Sequence, residues 1–142
     1  MRVKDVLTSK GSATVHTIEP GATVAELLDR LAEHDVGALV VSHDGTHVAG
    51  IVSERDVVRK LRGVDDPGSA TVDAIMVAEV VTCGLDDSAD DLMALMTRRR
   101  VRHVPVVAGG ELVGLLSVGD AVKQRMDALE FERDQLGSYV QG

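Results

Sequence analysis

Aromatic side chains are nearly absent: the 142 residues include no Trp, one Tyr and one Phe. Stacking of bases on aromatic platforms is therefore not available to hold single-stranded nucleic acid. A single cysteine, Cys83, excludes an internal disulfide, and no zinc-ligand spacing is written in the chain. The histidines at 16, 34, 43, 47 and 103 also lack metal-ligand spacing. There is no Walker loop, no Gly-x-Gly-x-x-Gly and no Ser-His-Asp order. No apolar run reaches membrane-spanning length, and 36–41 is strand-sized. No apolar stretch follows Arg2 and Lys4, so no signal peptide is expected and the expected location is cytoplasmic.

Hydrophobic residues make up 44% of the chain, enough for a core that must be aliphatic. The formal net charge of −8 repels a phosphate backbone, which disfavours general nucleic-acid binding. Arg98, Arg99, Arg100, Arg102 and His103 form a local exception. They fit either a solvated helix end opposing the macrodipole or an anion site, and the sequence leaves both open.

The chain is a tandem. Gly50-Ile51-Val52-Ser53-Glu54-Arg55-Asp56 returns at a constant offset as Gly114-Leu115-Leu116-Ser117-Val118-Gly119-Asp120. Short amphipathic turns lead each half, at 3–7 and 72–76. Strands are expected at 14–18 and 80–83, and capped helices after Thr23-x-x-Glu26 and Ser88-x-x-Asp91. Val24, Leu27, Leu28 and Leu31 form one stripe; Ala89, Leu92, Met93 and Met96 repeat it. Apolar runs at 36–41 and 101–107 lead through Asp44-Gly45 and Gly109-Gly110 turns into strands at 48–52 and 112–116. Helices at 56–61 and 120–126 follow. The expected order is strand, helix, strand, strand, helix, twice: residues 1–62, a linker at 63–70, residues 71–126, and a tail at 127–142. Each unit alone is too small to bury its apolar face, so the two must pack together. In the tail, Val122, Leu129 and Leu136 recur every seven residues, a narrow seam that Arg133 interrupts. A frayed terminus past Gly137 is the competing expectation.

Each Ser-x-x-Asp corner reads in two ways. As structure it is a helix cap. As chemistry, the free amides of a helix start attract phosphate, the serine hydroxyl donates to it, and an ionised aspartate accepts from two ribose hydroxyls. Ile51 and Leu115, just before the corners, are placed to clamp a flat base.

These paired corners, the segment Val101-Arg102-His103-Val104-Pro105-Val106-Val107, and the leading segments with Asp5 and Asp73 resemble the cystathionine β-synthase (CBS) domain pair, or Bateman module, from residue 3 to 126. The resemblance implies an α+β fold of two β-α-β-β-α repeats, their sheets packed about a pseudo-twofold axis. It implies a stand-alone, non-catalytic sensor that dimerises, binds AMP, ADP, ATP or a related ligand such as NAD, and signals to a target protein the sequence does not name. Carried over residue by residue, one cleft would hold Val15, His16, Val36 and Gly37 with Leu115, Ser117 and Asp120, and Arg102 or His103 at the phosphates. The other would hold Val81, Thr82 and Arg102 with Ile51, Ser53, Arg55 and Asp56. Val40 stands where the second repeat has Pro105, and Gly37-Ala38 where it has Arg102-His103, so the two clefts are expected to differ in phosphate preference. The alternative is an interaction scaffold without a nucleotide, dimerising through its helices.

Overall fold

The computed structural model describes residues 1–10 and 14–141, with side chains described through residue 137. The first half contains α1 (Val3–Lys10), β1 (Thr17–Ile18), α2 (Val24–His34), β2 (Ala38–Val41), β3 (Gly50–Ser53) and α3 (Glu54–Lys60). A 3-10 turn at Pro67–Ser69 lies in the linker. The second half contains α4 (Val72–Ile75), α5 (Ala89–Arg99), β4 (His103–Ala108), β5 (Glu111–Ser117) and α6 (Val118–Gln141). The class is α+β, as the tandem pattern requires.

Local chemistry sets most of these boundaries. The Thr23 hydroxyl accepts from the Glu26 N–H at 3.2 Å while the Glu26 carboxylate accepts from the Thr23 N–H at 3.4 Å, a closed capping box. The counterpart is only half made. The Ser88 hydroxyl accepts from the Asp91 N–H at 3.2 Å, but Asp91 does not reach back. There the neighbouring Ala89 N–H is bound to the Met1 carbonyl instead. Gly45 and Gly110 both take φ +82°, as the hairpin turns demand. Asp44 closes the first turn, accepting from the Thr46 and His47 N–H groups and pairing with the His47 ring at 2.7 Å.

The first sheet runs β1-β2-β3, with β1 parallel to β2 and β2 antiparallel to β3. The second is the β4-β5 hairpin. Two expected strands shrink. Only Thr17 and Ile18 of 14–18 join the ladder, because the chain before them diverges from β2 and lines a cavity. Of 80–83 only Cys83 bonds to β4, donating to the Pro105 carbonyl at 3.0 Å and accepting from the Val107 N–H at 2.8 Å. Val36, expected inside a buried strand, lies before β2 and is 37% exposed. Both corner helices begin two residues earlier than expected. The second, with the tail, is one continuous helix that passes Gly137 without a break in the backbone.

Among the described residues there are two aliphatic cores, and their membership crosses. Val3 and Val6 of α1 pack with Cys83, Leu92, Met96, Val104, Val106 and Leu116 of the second half. Val72 and Ile75 of α4 pack with Ile18, Val24, Leu27, Leu39, Val41 and Val52 of the first. Each leading helix thus completes the other repeat, a reciprocal exchange about a pseudo-twofold relation. Further bonds join the halves: Ile51 and Val77 exchange both backbone hydrogen bonds (3.0 and 2.8 Å), and the Leu112 N–H donates to the Thr46 carbonyl at 2.7 Å. Among the described residues no helix is long and apolar enough to cross a membrane.

Candidate functional site

The first corner is tightly built. The Asp56 carboxylate accepts at one oxygen from the Ser53 N–H (2.8 Å) and the Ser53 hydroxyl (3.1 Å), while the Asp56 N–H donates to that hydroxyl at 3.4 Å. The other oxygen lies 3.8 Å from Lys60 Nζ, which itself donates to the Ile75 carbonyl at 2.7 Å. The Ser53 hydroxyl is therefore engaged in the cap and must rotate to donate to any other group. Asp56 Oδ1 is the freer acceptor, on a side chain only 16% exposed.

This corner lines a cavity of about 270 Å³ shared by both halves. Gly37, Ile51, Ser53, Arg55 and Asp56 come from the first repeat; Val77, Val80, Val81, Arg102 and His103 come from the second. Two further arginines, Arg59 and Arg100, join Arg55 and Arg102 around it, and the same four continue into an adjoining cavity of about 390 Å³. Among the described residues no ion pair engages any of the four. Glu54, Asp56 and Glu79 are the acidic groups on the first cavity's wall. A basic cluster beside an ionised acceptor and apolar walls suits a ligand with phosphate, polyol and flat apolar parts.

Arg100 is held there at a conformational cost. It ends α5 with φ 56°, in the left-handed region that a residue bearing a Cβ seldom adopts. Its counterpart Asp35 ends α2 with φ 52°, a state aspartate tolerates better.

The second corner has the same frame and a different occupant. The Ser117 N–H donates to the Asp120 carboxylate at 3.0 Å, and the Asp120 N–H donates to the Ser117 hydroxyl at 3.0 Å. Lys10 Nζ, from α1, lies 3.0 Å from that same carboxylate oxygen and donates to the Leu115 carbonyl at 3.0 Å. Burial works against the charged Asp120, but the Ser117 N–H and Lys10 outweigh it and hold the carboxyl below its ordinary range. Burial also pushes the nearby His103 imidazole down; Asp120 and Glu54 oppose that shift, while Lys10 and Arg102 add to it.

A cavity of about 680 Å³ lies on this side, with Val15, His16, Val36, Gly114 and Leu115 on its wall beside Lys4, Thr8, Lys10 and His34. The His16 and His34 rings stack, centroids 3.6 Å apart. Ser117 and Asp120 do not line it; Lys10 stands between.

Several expected placements change. The resemblance places Gly37, with either Arg102 or His103, in the cleft of the second corner, yet all three line the cavity of the first. For Gly37 the reason is register: Ala38 pairs with Ser53, and the Glu54 N–H donates to the Gly37 carbonyl at 3.1 Å. Thr82 lines none of the three cavities described here. Arg59 was missed, although it sits one turn beyond Arg55 on the same helix face. Lys10 carried no signal in the sequence.

Comparison with known proteins bears on the family and the fold. The CBS domain family matches residues 3–63 and 72–127. The chain is 32% identical to the mitochondrial CBS domain-containing protein CBSX3 of Arabidopsis thaliana, over 99% of this chain and 72% of that protein. The crystal structure of a CBS-domain-containing protein from Agrobacterium tumefaciens superposes with a TM-score of 0.83 at 38% identity, covering 88% of this chain and 99% of that one. A CBS domain pair crystallised with 5-methylthioadenosine and S-adenosyl-L-methionine shares the fold at a TM-score of 0.78 and 22% identity, covering 90% and 98%. The protein belongs to the CBS domain family, as a tandem pair of repeats whose leading helices are exchanged.

Proposed function

We propose that the protein is a non-catalytic regulatory module that binds an adenine nucleotide or related adenosyl ligand between its repeats and signals occupancy to a partner protein. The observation that carries this reading is the cavity where Arg55, Arg59, Arg100 and Arg102 surround the Ser53–Asp56 corner. Phosphates would lie toward the arginines, the ribose hydroxyls at Asp56, and the base between Ile51 and Val81. Four cations favour ADP or ATP over AMP, and NAD also carries the required groups. Lys10 makes the cleft of Ser117 and Asp120 the weaker of the two, because a ribose there must displace an ammonium group. A CBS pair of the same fold accommodates adenosyl ligands, which supports the ligand class by analogy of fold only.

The second reading, an interaction scaffold that dimerises through its helices, is favoured by one observation: both serine–aspartate pairs are already used as caps. A thermal-shift screen separates the two. A nucleotide present at 100 times its Kd stabilises by about 2.7 kcal/mol and raises Tm by several degrees. The sensor reading expects such a shift with ATP, ADP, AMP, NAD or S-adenosylmethionine. Flat melting curves with all five at millimolar concentration would favour the scaffold.

A further inference from the structure

The tail helix carries a feature the nucleotide reading does not use. The start of α6 packs on α1 and α5, and Ala121 there is 3% exposed. Another face of the same helix presents Val122 (39% exposed), Met126 (57%), Leu129 (49%) and Leu136 (67%) to solvent. Their spacing fits a heptad with Gly119, Met126 and Arg133 at one seam position and Val122, Leu129 and Leu136 at the other.

The charges beside this seam are segregated. Lys123 and Arg125 flank its first part, and Glu130 and Glu132 flank its last. All four are exposed, and no ion pair within the chain engages them among the described residues. A second copy of the helix laid antiparallel, with Met126 opposite Leu129, puts Lys123 beside Glu130 and Arg125 beside Glu132. The two-fold doubles each contact, giving four opposite-charge pairs. A parallel pair offers only the contact of Arg125 with Glu130, twice. In the antiparallel register Arg133 falls opposite Val122, where its aliphatic stem covers the valine and its guanidinium reaches water.

We propose that α6 pairs antiparallel with α6 of a second copy of this chain, over residues 119–136, about 27 Å of helix. The pairing buries the apolar row and is set in direction by the segregated charges. It does not depend on whether either cleft takes a nucleotide.

Cysteine cross-linking of the full-length protein tests it, because the readout belongs to the tail and ignores any other contact between copies. Val122→Cys and Arg133→Cys proteins are purified separately, mixed and oxidised. The antiparallel register places these positions in one layer, whereas a parallel pair holds them about 16 Å apart along the axis. Leu136→Cys alone reads the opposite case, since it faces itself only in a parallel pair. Wild type is the control: Cys83 is buried and its thiol pKa is pushed up to about 11 by that burial. The expected result is a covalent dimer from the mixture and none from Leu136→Cys. No dimer from the mixture, or a dimer from Leu136→Cys, overturns the proposal. Adding Lys123→Glu with Arg125→Glu to both cysteine proteins should slow cross-linking about tenfold, and adding Glu130→Lys with Glu132→Lys should restore it. A rate indifferent to both changes overturns the charge assignment.

Discussion

Lys10 Nζ and Asp120 Oδ2 lie 3.0 Å apart, tying the end of the first helix to the second corner. Because the pair is partly exposed, the bond itself is worth about 0.5–1 kcal/mol. Its clearer signature is titration. Lys10→Met should raise the Asp120 carboxyl pKa toward its ordinary value, read by carboxyl-carbon NMR. No movement would show that the Ser117 N–H alone holds the carboxylate. Set against the opposite change at His47, whose imidazole the Asp44 carboxylate holds above its ordinary value, the stability governed by His103 and Asp120 should fall on acidification in two stages. Both folded-state values are depressed, so the unfolded chain takes up protons first: at His103 as the pH drops below about 6.5, and at Asp120 below about 4. Urea unfolding at stepped pH measures this slope.

Two equivalent glycines should respond unequally to alanine. A Cβ on Gly50 would lie 2.8 Å from the Val77 carbonyl oxygen and 2.8 Å from the Met76 sulfur. A Cβ on Gly114 would lie nearest the Leu7 side chain, with its methyl ends at 2.8 and 3.0 Å and its Cγ at 3.5 Å. Backbone yields less readily than a leucine tip. Gly50→Ala should cost about 1–3 kcal/mol and Gly114→Ala clearly less, in denaturant titrations. Equal costs would contradict the close approach of Val77.

The exchanged leading helices predict damage at a distance along the chain. Val6→Ala should cost about 2 kcal/mol and raise amide exchange in β4 and β5, not in β1 to β3. Ile75→Ala should cost about 2–5 kcal/mol and loosen β1 to β3 instead. Exchange mass spectrometry distinguishes this from damage confined to each residue's own repeat.

Arg100 links stability to binding. Arg100→Gly removes a Cβ from a left-handed residue and should stabilise the fold by up to about 1 kcal/mol. It also removes one of four cations from the cavity, so ATP should bind about tenfold more weakly while adenosine is little affected. A variant that is neither more stable nor weaker for ATP would show that the strained residue serves no purpose at this site.

What the sequence disclosed follows the reach of each interaction. The Thr23–Glu26 box, the Asp44-Gly45 turn and the Ser53–Asp56 corner are contacts within a few residues, and each formed where expected. The tandem was legible because the glycine-serine-aspartate corner repeats at a constant offset. The crossing of Val6 and Ile75 into the opposite cores was not, because periodicity shows which face is buried and not what covers it. Gly37 was misassigned although the hairpin register that places it beside Glu54 lies within one repeat. Lys10 at Asp120 is a pure tertiary contact between a chain end and a later turn. Thr14 to His16 had strand composition, but a short parallel pairing on one side did not extend to them.

Calorimetric titration of ATP into wild-type protein and into Asp56→Asn tests the central claim most directly. Asparagine keeps an oxygen for the Ser53 cap and removes the charge offered to the ribose. The account predicts saturable ATP binding to the wild type, tighter than AMP, and a roughly 10- to 100-fold loss in the variant at unchanged melting temperature. No binding heat at millimolar ATP, or equal affinity in the two proteins, would contradict it.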